Sequence, residues 1–189
     1  MKKLLLIFFI ILYIPLLPYC ASAATPYVIG PDIEIKENNI IVNASIAETS
    51  DLEQTIRSGV GKEIVFTIEL IRVWDFWPDE FVVSKRLRKI IRYDNLRDHY
   101  RVSLRDGTTR TDIKFNDFTA LKDLIFTANA VSLANIRELE PSNYYIRVIV
   151  ESKSLEQLPL IGFLMHLVPE VEMSFAKESQ TFAAGITNK

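Results

Sequence analysis

The residues with the clearest chemical potential lie in one short segment, 74–80, which reads Trp-Asp-Phe-Trp-Pro-Asp-Glu. Its carboxylates are of the type that performs acid and base catalysis in sugar hydrolysis, and Trp74 and Trp77 offer aromatic faces for stacking on sugars. A structural interpretation competes, because turns between strands are rich in aspartate and proline and tryptophans at a hairpin end usually pack onto the sheet edge. We therefore predict a turn here, with Trp74, Asp75, Trp77 and Asp79 as candidate binding residues.

A basic band follows this segment. Residues 84–110 hold nine Lys or Arg and three acids, in a chain whose net charge is −2. Its first part contributes the candidate binding residues Lys85, Arg86, Arg88, Lys89 and Arg92. They could bind anionic lipid headgroups, lipopolysaccharide phosphates or an acidic partner protein. Alternatively, they form a solvated sheet edge that resists pairing with other chains, with exposed ion pairs to Glu63, Glu69 and Asp75 across a hairpin. The solvated edge is the favoured interpretation.

The sequence lacks the residue patterns that metal binding and other kinds of catalysis require. His99 and His166 are far apart and match no metal-binding spacing, so His99 is interpreted as a solvated loop residue. The chain contains no nucleophile elbow, no phosphate-binding glycine loop and no dinucleotide-binding glycine pattern. We predict no metal, no cofactor and no nucleic-acid partner, since no groove-reading motif is present.

The N-terminus has the features of an export signal. Lys2 and Lys3 precede fourteen largely apolar residues, Leu4–Leu17, and then Ala21-Ser22-Ala23. A spanning helix needs about 20 apolar residues, so this run is short for one. We expect cleavage near Ala23 and a periplasmic or extracellular location, with an uncleaved membrane anchor as the alternative. Cleavage would remove Cys20, the only cysteine, and leave 24–189 as a single mature β-rich domain.

The remaining pattern is mainly that of β-strands. Alternating apolar residues predict strands over 32–36, 40–46, 64–74, 81–93, 100–105, 109–115, 131–136, 144–150 and 171–175. A capping box at Ser50–Glu53 predicts a short helix to Ser58-Gly59, and helical spacing predicts a second helix over 116–129 capped by Asn116. The apolar run 158–168 is expected to close the core. These elements predict a mainly β, antiparallel β-sandwich-like domain with one or two inserted helices.

In their order and spacing, these features resemble domain-of-unknown-function family 4390. The features are a helix ending in Ser58-Gly59, a long strand Ile64–Trp74, an arginine-rich return to Arg92-Tyr93-Asp94, and Leu158-Pro159 after the strand at 144–150. The resemblance covers residues 30–176 and implies an exported bacterial protein with no established activity, cofactor or catalytic residue.

Two functional hypotheses follow. The first is a non-enzymatic binding or accessory module for an envelope membrane protein or an anionic membrane surface. The alternative is a glycan-binding or glycan-hydrolysing protein that uses the segment from Trp74 to Glu80. An enzyme would lose turnover on Asp79→Asn, whereas a binding module would be affected more by Trp77→Ala.

Overall fold

The computed structural model describes residues 26–47, 52–155 and 171–185. They form antiparallel strands and two short helices. The strands are β1 Val28–Lys36, β2 Asn39–Ile46, β3 Gly61–Arg72, β4 Glu80–Asp94, β5 His99–Asp106, β6 Thr109–Phe115, β7 Thr127–Asn135, β8 Ser142–Leu155, β9 Met173–Glu178 and β10 Phe182–Ala184. The helices are α1 Leu52–Arg57 and α2 Phe118–Phe126, and a 3₁₀ turn occupies Ile136–Glu138.

The strands form two sheets. The smaller sheet has the order β1-β2-β7, and the larger has the order β10-β8-β3-β4-β5-β6, with β9 also paired to β8. Strand β3 lies at the centre of the larger sheet and is paired along its length with β4 on one side and β8 on the other. Because β3 has neighbours on both sides, outward-facing Val65 is buried as well as inward-facing Phe66.

The core lies between the two sheets. Ile40 and Val42 of the smaller sheet and Phe66, Ile68 and Ile146 of the larger sheet are all fully buried. Each such side chain stabilises the fold by about 1.5–3 kcal/mol relative to an exposed one. Both helices add apolar side chains to this core, which are Leu52, Ile56, Phe118, Leu121 and Ile125. The predicted mainly β, sandwich-like class is therefore confirmed.

The second helix is shorter than the prediction of 116–129. It begins after Asp117, not Asn116, and the Asp117 side chain makes no capping hydrogen bond. It ends at Phe126, and Ala128 pairs with Ala44 of β2 instead of continuing the helix. A core-facing Ala128 is compatible with the apolar spacing of a helix and with that of a strand. Pairing with β2 gives the backbone N–H and C=O groups of β2 their hydrogen-bond partners. Tertiary pairing therefore decides where the helix ends.

The other predictions concern the C-terminal strands and segments that lie outside the described residues. The last predicted strand, 171–175, is shifted to Met173–Glu178, and β10 was not predicted. Ser50 and Asp51 of the capping box, the run 158–168, His166 and the signal at 1–23 lie outside the described residues. Within the described ranges, no helix is long and apolar enough to cross a membrane.

Candidate functional site

From Leu87 to Ile91, the strand that carries the first part of the basic band does not form a sheet edge. Strand β4 is paired with β3 from Lys62↔Ile91 to Arg72↔Glu80, and with β5 from Leu87↔Asp106 to Asp94↔His99. The prediction of a solvated edge is therefore wrong for this strand from Leu87 to Ile91, which is paired on both sides. The charges suggested an edge, but a strand in the middle of a sheet tolerates them where one of its faces is open to solvent.

The alternation of β4 divides the predicted binding residues between two faces. Arg86, Arg88 and Arg92 are exposed on the outer face of the larger sheet. Lys85 and Lys89 have the opposite parity and share the inner face with buried Ile91. The structure therefore brings together three of the five basic residues that the sequence singled out.

Strands β5 and β6 add four exposed cations to the outer face. Their register places Arg92 opposite Arg101, and Arg101 opposite Lys114. Four residues away on each strand, Arg88 lies opposite Arg105, and Arg105 lies opposite Arg110. We call this surface the arginine face, and its members are Arg86, Arg88, Arg92, Arg101, Arg105, Arg110 and Lys114.

The four like-charged pairs across the strands of the arginine face destabilise the sheet, because like charges directly opposite one another repel. Ion pairs neutralise three of the cations, through Arg88 to Glu63, Arg101 to Asp94 and Arg110 to Asp112. Among the residues that the structure describes, no carboxylate lies within 4.0 Å of the others, which are Arg86, Arg92, Arg105 and Lys114. The face thus carries a positive charge that its own acids do not balance.

The pair of Arg88 with Glu63 fixes one end of this face. The Glu63 side chain is only 4% exposed, and the Arg88 guanidinium donates to both of its oxygens, with Nη2 at 2.9 Å from Oε2. This hydrogen bonding raises the pKa of Arg88. The sequence predicted Glu63 as a partner for the band, and the structure shows that the pair is largely buried on the carboxylate side.

A shallow depression of about 510 Å³ lies between the two rows of cations. Its centre is a third row, in which Ile90 is opposite Ser103 and Ser103 is opposite Asp112. The Ser103 hydroxyl donates to the Asp112 carboxylate, and Arg110 Nε donates to the same oxygen at 3.1 Å. The hydrogen bond from Ser103, followed by the one from Arg110, lowers the pKa of Asp112, so this central carboxylate is ionised at neutral pH.

Lys89 has a structural role on the inner face. It is 6% exposed, and its Nζ donates to the carbonyl oxygens of Leu124 at 2.6 Å and of Thr127. The ammonium group also lies 4.9 Å from the centre of the Phe66 ring. Burial lowers the pKa of Lys89 to about 8. Lys89 therefore provides hydrogen bonds to carbonyl groups at the C-terminal end of α2. It is not available as one of the candidate binding residues.

Acidic side chains stabilise the turn between β3 and β4 through hydrogen bonds within the turn. The Trp74 backbone N–H donates to Asp79 Oδ1 at 3.3 Å, and Trp74 Nε1 donates to Glu80 Oε2 at 3.2 Å. The Arg72 guanidinium lies 4.3 Å over the Trp74 ring. Exposed Asp75 lies in the same turn. These contacts confirm the predicted turn and give two of its carboxylates structural partners.

Two aromatic residues of this turn do not pack onto the sheet. Phe76 is 93% exposed and Trp77 is 76% exposed, so the expectation that the tryptophan packs onto the sheet edge is wrong for Trp77, whereas Trp74, 41% exposed, stacks against Arg72. The turn thus presents an aromatic tip, Phe76 and Trp77, to solvent.

His99 is also placed differently from its prediction. It is buried at the start of β5, where its Nε2 accepts from Arg101 Nε at 3.3 Å. No group of three or more His, Cys, Asp or Glu side chains that could hold a metal ion occurs in the described part of the chain.

Sequence reasoning counted three of the four cations of β5 and β6 in the basic band, but it named none of the four as a candidate binding residue. Arg101, Arg105, Arg110 and Lys114 lie on one face because the hairpin at Asp106-Gly107 sets their register against one another. The alternation of these strands and the strong turn signal were visible in the sequence. What was not visible is that β4 joins the same sheet on the same side.

The fold and the arginine face define the class of this protein: an antiparallel β-sandwich with an unbalanced cationic sheet face. Within that class, the chain belongs to the family described as Domain of unknown function (DUF4390), whose model matches residues 30–166. This match confirms the family resemblance that the sequence showed. Comparisons with curated proteins and with solved structures give no match.

Proposed function

We propose that the protein is a non-enzymatic binding module of the cell envelope, which holds an anionic membrane surface or an acidic envelope protein through the arginine face. One observation carries this proposal: in each of two rows, three cations lie directly opposite one another across β4, β5 and β6. Mutual repulsion makes this arrangement unfavourable for stability alone. It becomes favourable when anions bind between the cations.

The shape of the arginine face suits an extended partner. Neighbouring strands lie about 4.8 Å apart and residues rise about 3.3 Å along each strand, so three strands and the span from Arg86 to Arg92 cover about 10 by 20 Å. The cations are spread over this solvent-open area, whereas a catalytic centre requires groups that converge in a cleft.

The residue types favour phosphate or carboxylate as the anion. Six of the seven cations are arginines, and the planar guanidinium group donates two parallel hydrogen bonds to either oxyanion. If the protein is exported as its N-terminus predicts, lipid headgroups and the surfaces of envelope proteins are the polyanions within reach.

Charge-matched variants test this proposal. In the double variant Arg92→Gln/Arg105→Gln, cosedimentation with vesicles rich in anionic phospholipid should fall at least tenfold, and in-cell crosslinking to envelope components should be lost. The control Arg137→Gln/Lys177→Gln removes two exposed cations away from the arginine face and should stay within twofold of the unmodified chain.

Binding of the unmodified chain should also weaken steeply with salt, because exposed charges are screened. Equal losses in the two double variants would contradict the proposal. So would the absence of both vesicle binding and a crosslinked envelope protein.

A second candidate function rests on the aromatic tip. The exposure of Phe76 and Trp77 favours glycan binding by stacking, whereas the engagement of Asp79 and Glu80 by Trp74 gives no support to hydrolysis. Under this alternative, Trp77→Ala abolishes retention on a cell-wall glycan column and the arginine-face variants leave it unchanged. Under the main proposal, Trp77→Ala leaves anion binding intact.

A further inference from the structure

We infer that the arginine face is a two-point site for a ligand carrying two phosphate groups about 13 Å apart. The inference rests on the proposed function and specifies its ligand. The first point is the row Arg92, Arg101 and Lys114, and the second is the row Arg88, Arg105 and Arg110. Residues on one face of a strand are two positions apart, so each row lies about 7 Å from the central row and about 13 Å from the other.

Each row can hold a phosphate by itself. Its three cations belong to adjacent strands whose backbones are about 5 Å apart, so one phosphate group can accept hydrogen bonds from two of them. Within the described structure, the first row keeps Arg92 and Lys114 without a carboxylate partner, and the second keeps Arg105. Each point therefore retains at least one cation that is available to the ligand.

The central row keeps the two points separate. The Asp112 carboxylate lies there and is ionised, so a phosphate placed in the centre of the depression would be repelled. Arg110 extends from its own row towards this centre, with Nη2 at 3.5 Å from Ser103 Oγ. The two phosphates are thus directed to the flanking rows.

The depression between the rows indicates what joins the two phosphates. Its volume of about 510 Å³ accommodates a small bridging group, and its floor offers apolar Ile90 together with the polar oxygens of Ser103 and Asp112. An ionised carboxylate accepts hydrogen bonds from hydroxyl groups. A hydroxylated bridge such as a sugar therefore fits, and the ligand class is a bisphosphorylated sugar, either free or as a lipid headgroup.

Bisphosphates of graded length measure the spacing directly. The probes are inorganic phosphate, pyrophosphate and alkanediol bisphosphates of increasing chain length, titrated calorimetrically into the full chain as recovered from cells. We expect affinity to peak where the phosphates are about 13 Å apart and to exceed that of inorganic phosphate and pyrophosphate at least tenfold, because the second phosphate binds intramolecularly. A monotonic rise with charge, independent of length, would overturn the inference.

Single variants separate the two points. Arg92→Gln and Arg105→Gln should each lower the affinity for the best bisphosphate at least tenfold and remove its dependence on length. Arg137→Gln is the control, since Arg137 is an exposed arginine that lies away from the arginine face, and it should stay within twofold. Asp112→Asn should raise the affinity for inorganic phosphate and so reduce the advantage of the bisphosphate.

Vesicles distinguish the two sources of such a ligand. Stronger binding to vesicles containing a diphosphorylated glycolipid than to its monophosphorylated form supports the inference and identifies a lipid headgroup. Length-selective binding of soluble bisphosphates without this vesicle preference supports a free sugar bisphosphate. Binding to anionic vesicles with no length selectivity overturns the two-point site and leaves the proposed function standing, whereas loss of all anion binding overturns both.

Discussion

The pH dependence of stability should reveal the buried state of Lys89. In the folded chain its pKa is lowered from 10.5 to about 8 by burial. Between these two values the unfolded chain binds a proton that the folded chain has released, so the free energy of unfolding rises with pH. Below about 8 both states are protonated, so the cost of burying the charge is fully present and stability does not change with pH through Lys89.

The size of this effect follows from the pKa difference. One unit of pKa corresponds to about 1.4 kcal/mol, so Lys89 adds at most about 2 kcal/mol on going from pH 7 to pH 9.5. Its hydrogen bonds to the carbonyls of Leu124 and Thr127 favour the charged form, which makes this value an upper limit.

Urea denaturation at several values between pH 7 and pH 9.5 tests the prediction. Lys89→Met keeps the length of the side chain but has no proton to lose, so the free energy of unfolding of the original chain should rise relative to that of the variant. Leu87→Met on the same face of β4 is the control, and its curve should run parallel to that of the original chain. Parallel curves for Lys89→Met as well would refute the reasoning.

Three further predictions concern stability and are tested by denaturant titration. Glu63→Gln removes the charged partner of a largely buried ion pair and should cost about 1–3 kcal/mol, so an unchanged midpoint would argue against the pair. Gly185→Ala should cost more than Gly59→Ala, since φ is positive at both but only a Cβ at residue 185 would clash with the carbonyl oxygen of Glu140; equal losses would count against this clash. Arg105→Gln should stabilise the fold by about 0.2–1 kcal/mol at low salt and by less at high salt, and destabilisation at low salt would show that the opposed cations do not repel.

Local patterns in the sequence predicted most strands because each carries its own signal. The alternation of Ile64, Phe66 and Ile68 marks β3, and Asp106-Gly107 marks the hairpin of β5 and β6. The C-terminal strands were harder to predict. Strand β10 has three residues and owes its existence to pairing with β8, which no local pattern records.

By itself, the sequence determined the mainly β class, the family, the turn at Trp74 and the presence of a basic band, because these depend on neighbours along the chain. Only the tertiary structure decided which cations act together. Placing β4 between β3 and β5 buried Lys89 beneath α2 and set Arg92 and Arg105 beside cations from other strands. The physical reason is that strand order and register are fixed by pairing between distant segments, and the arginine face exists only through that pairing.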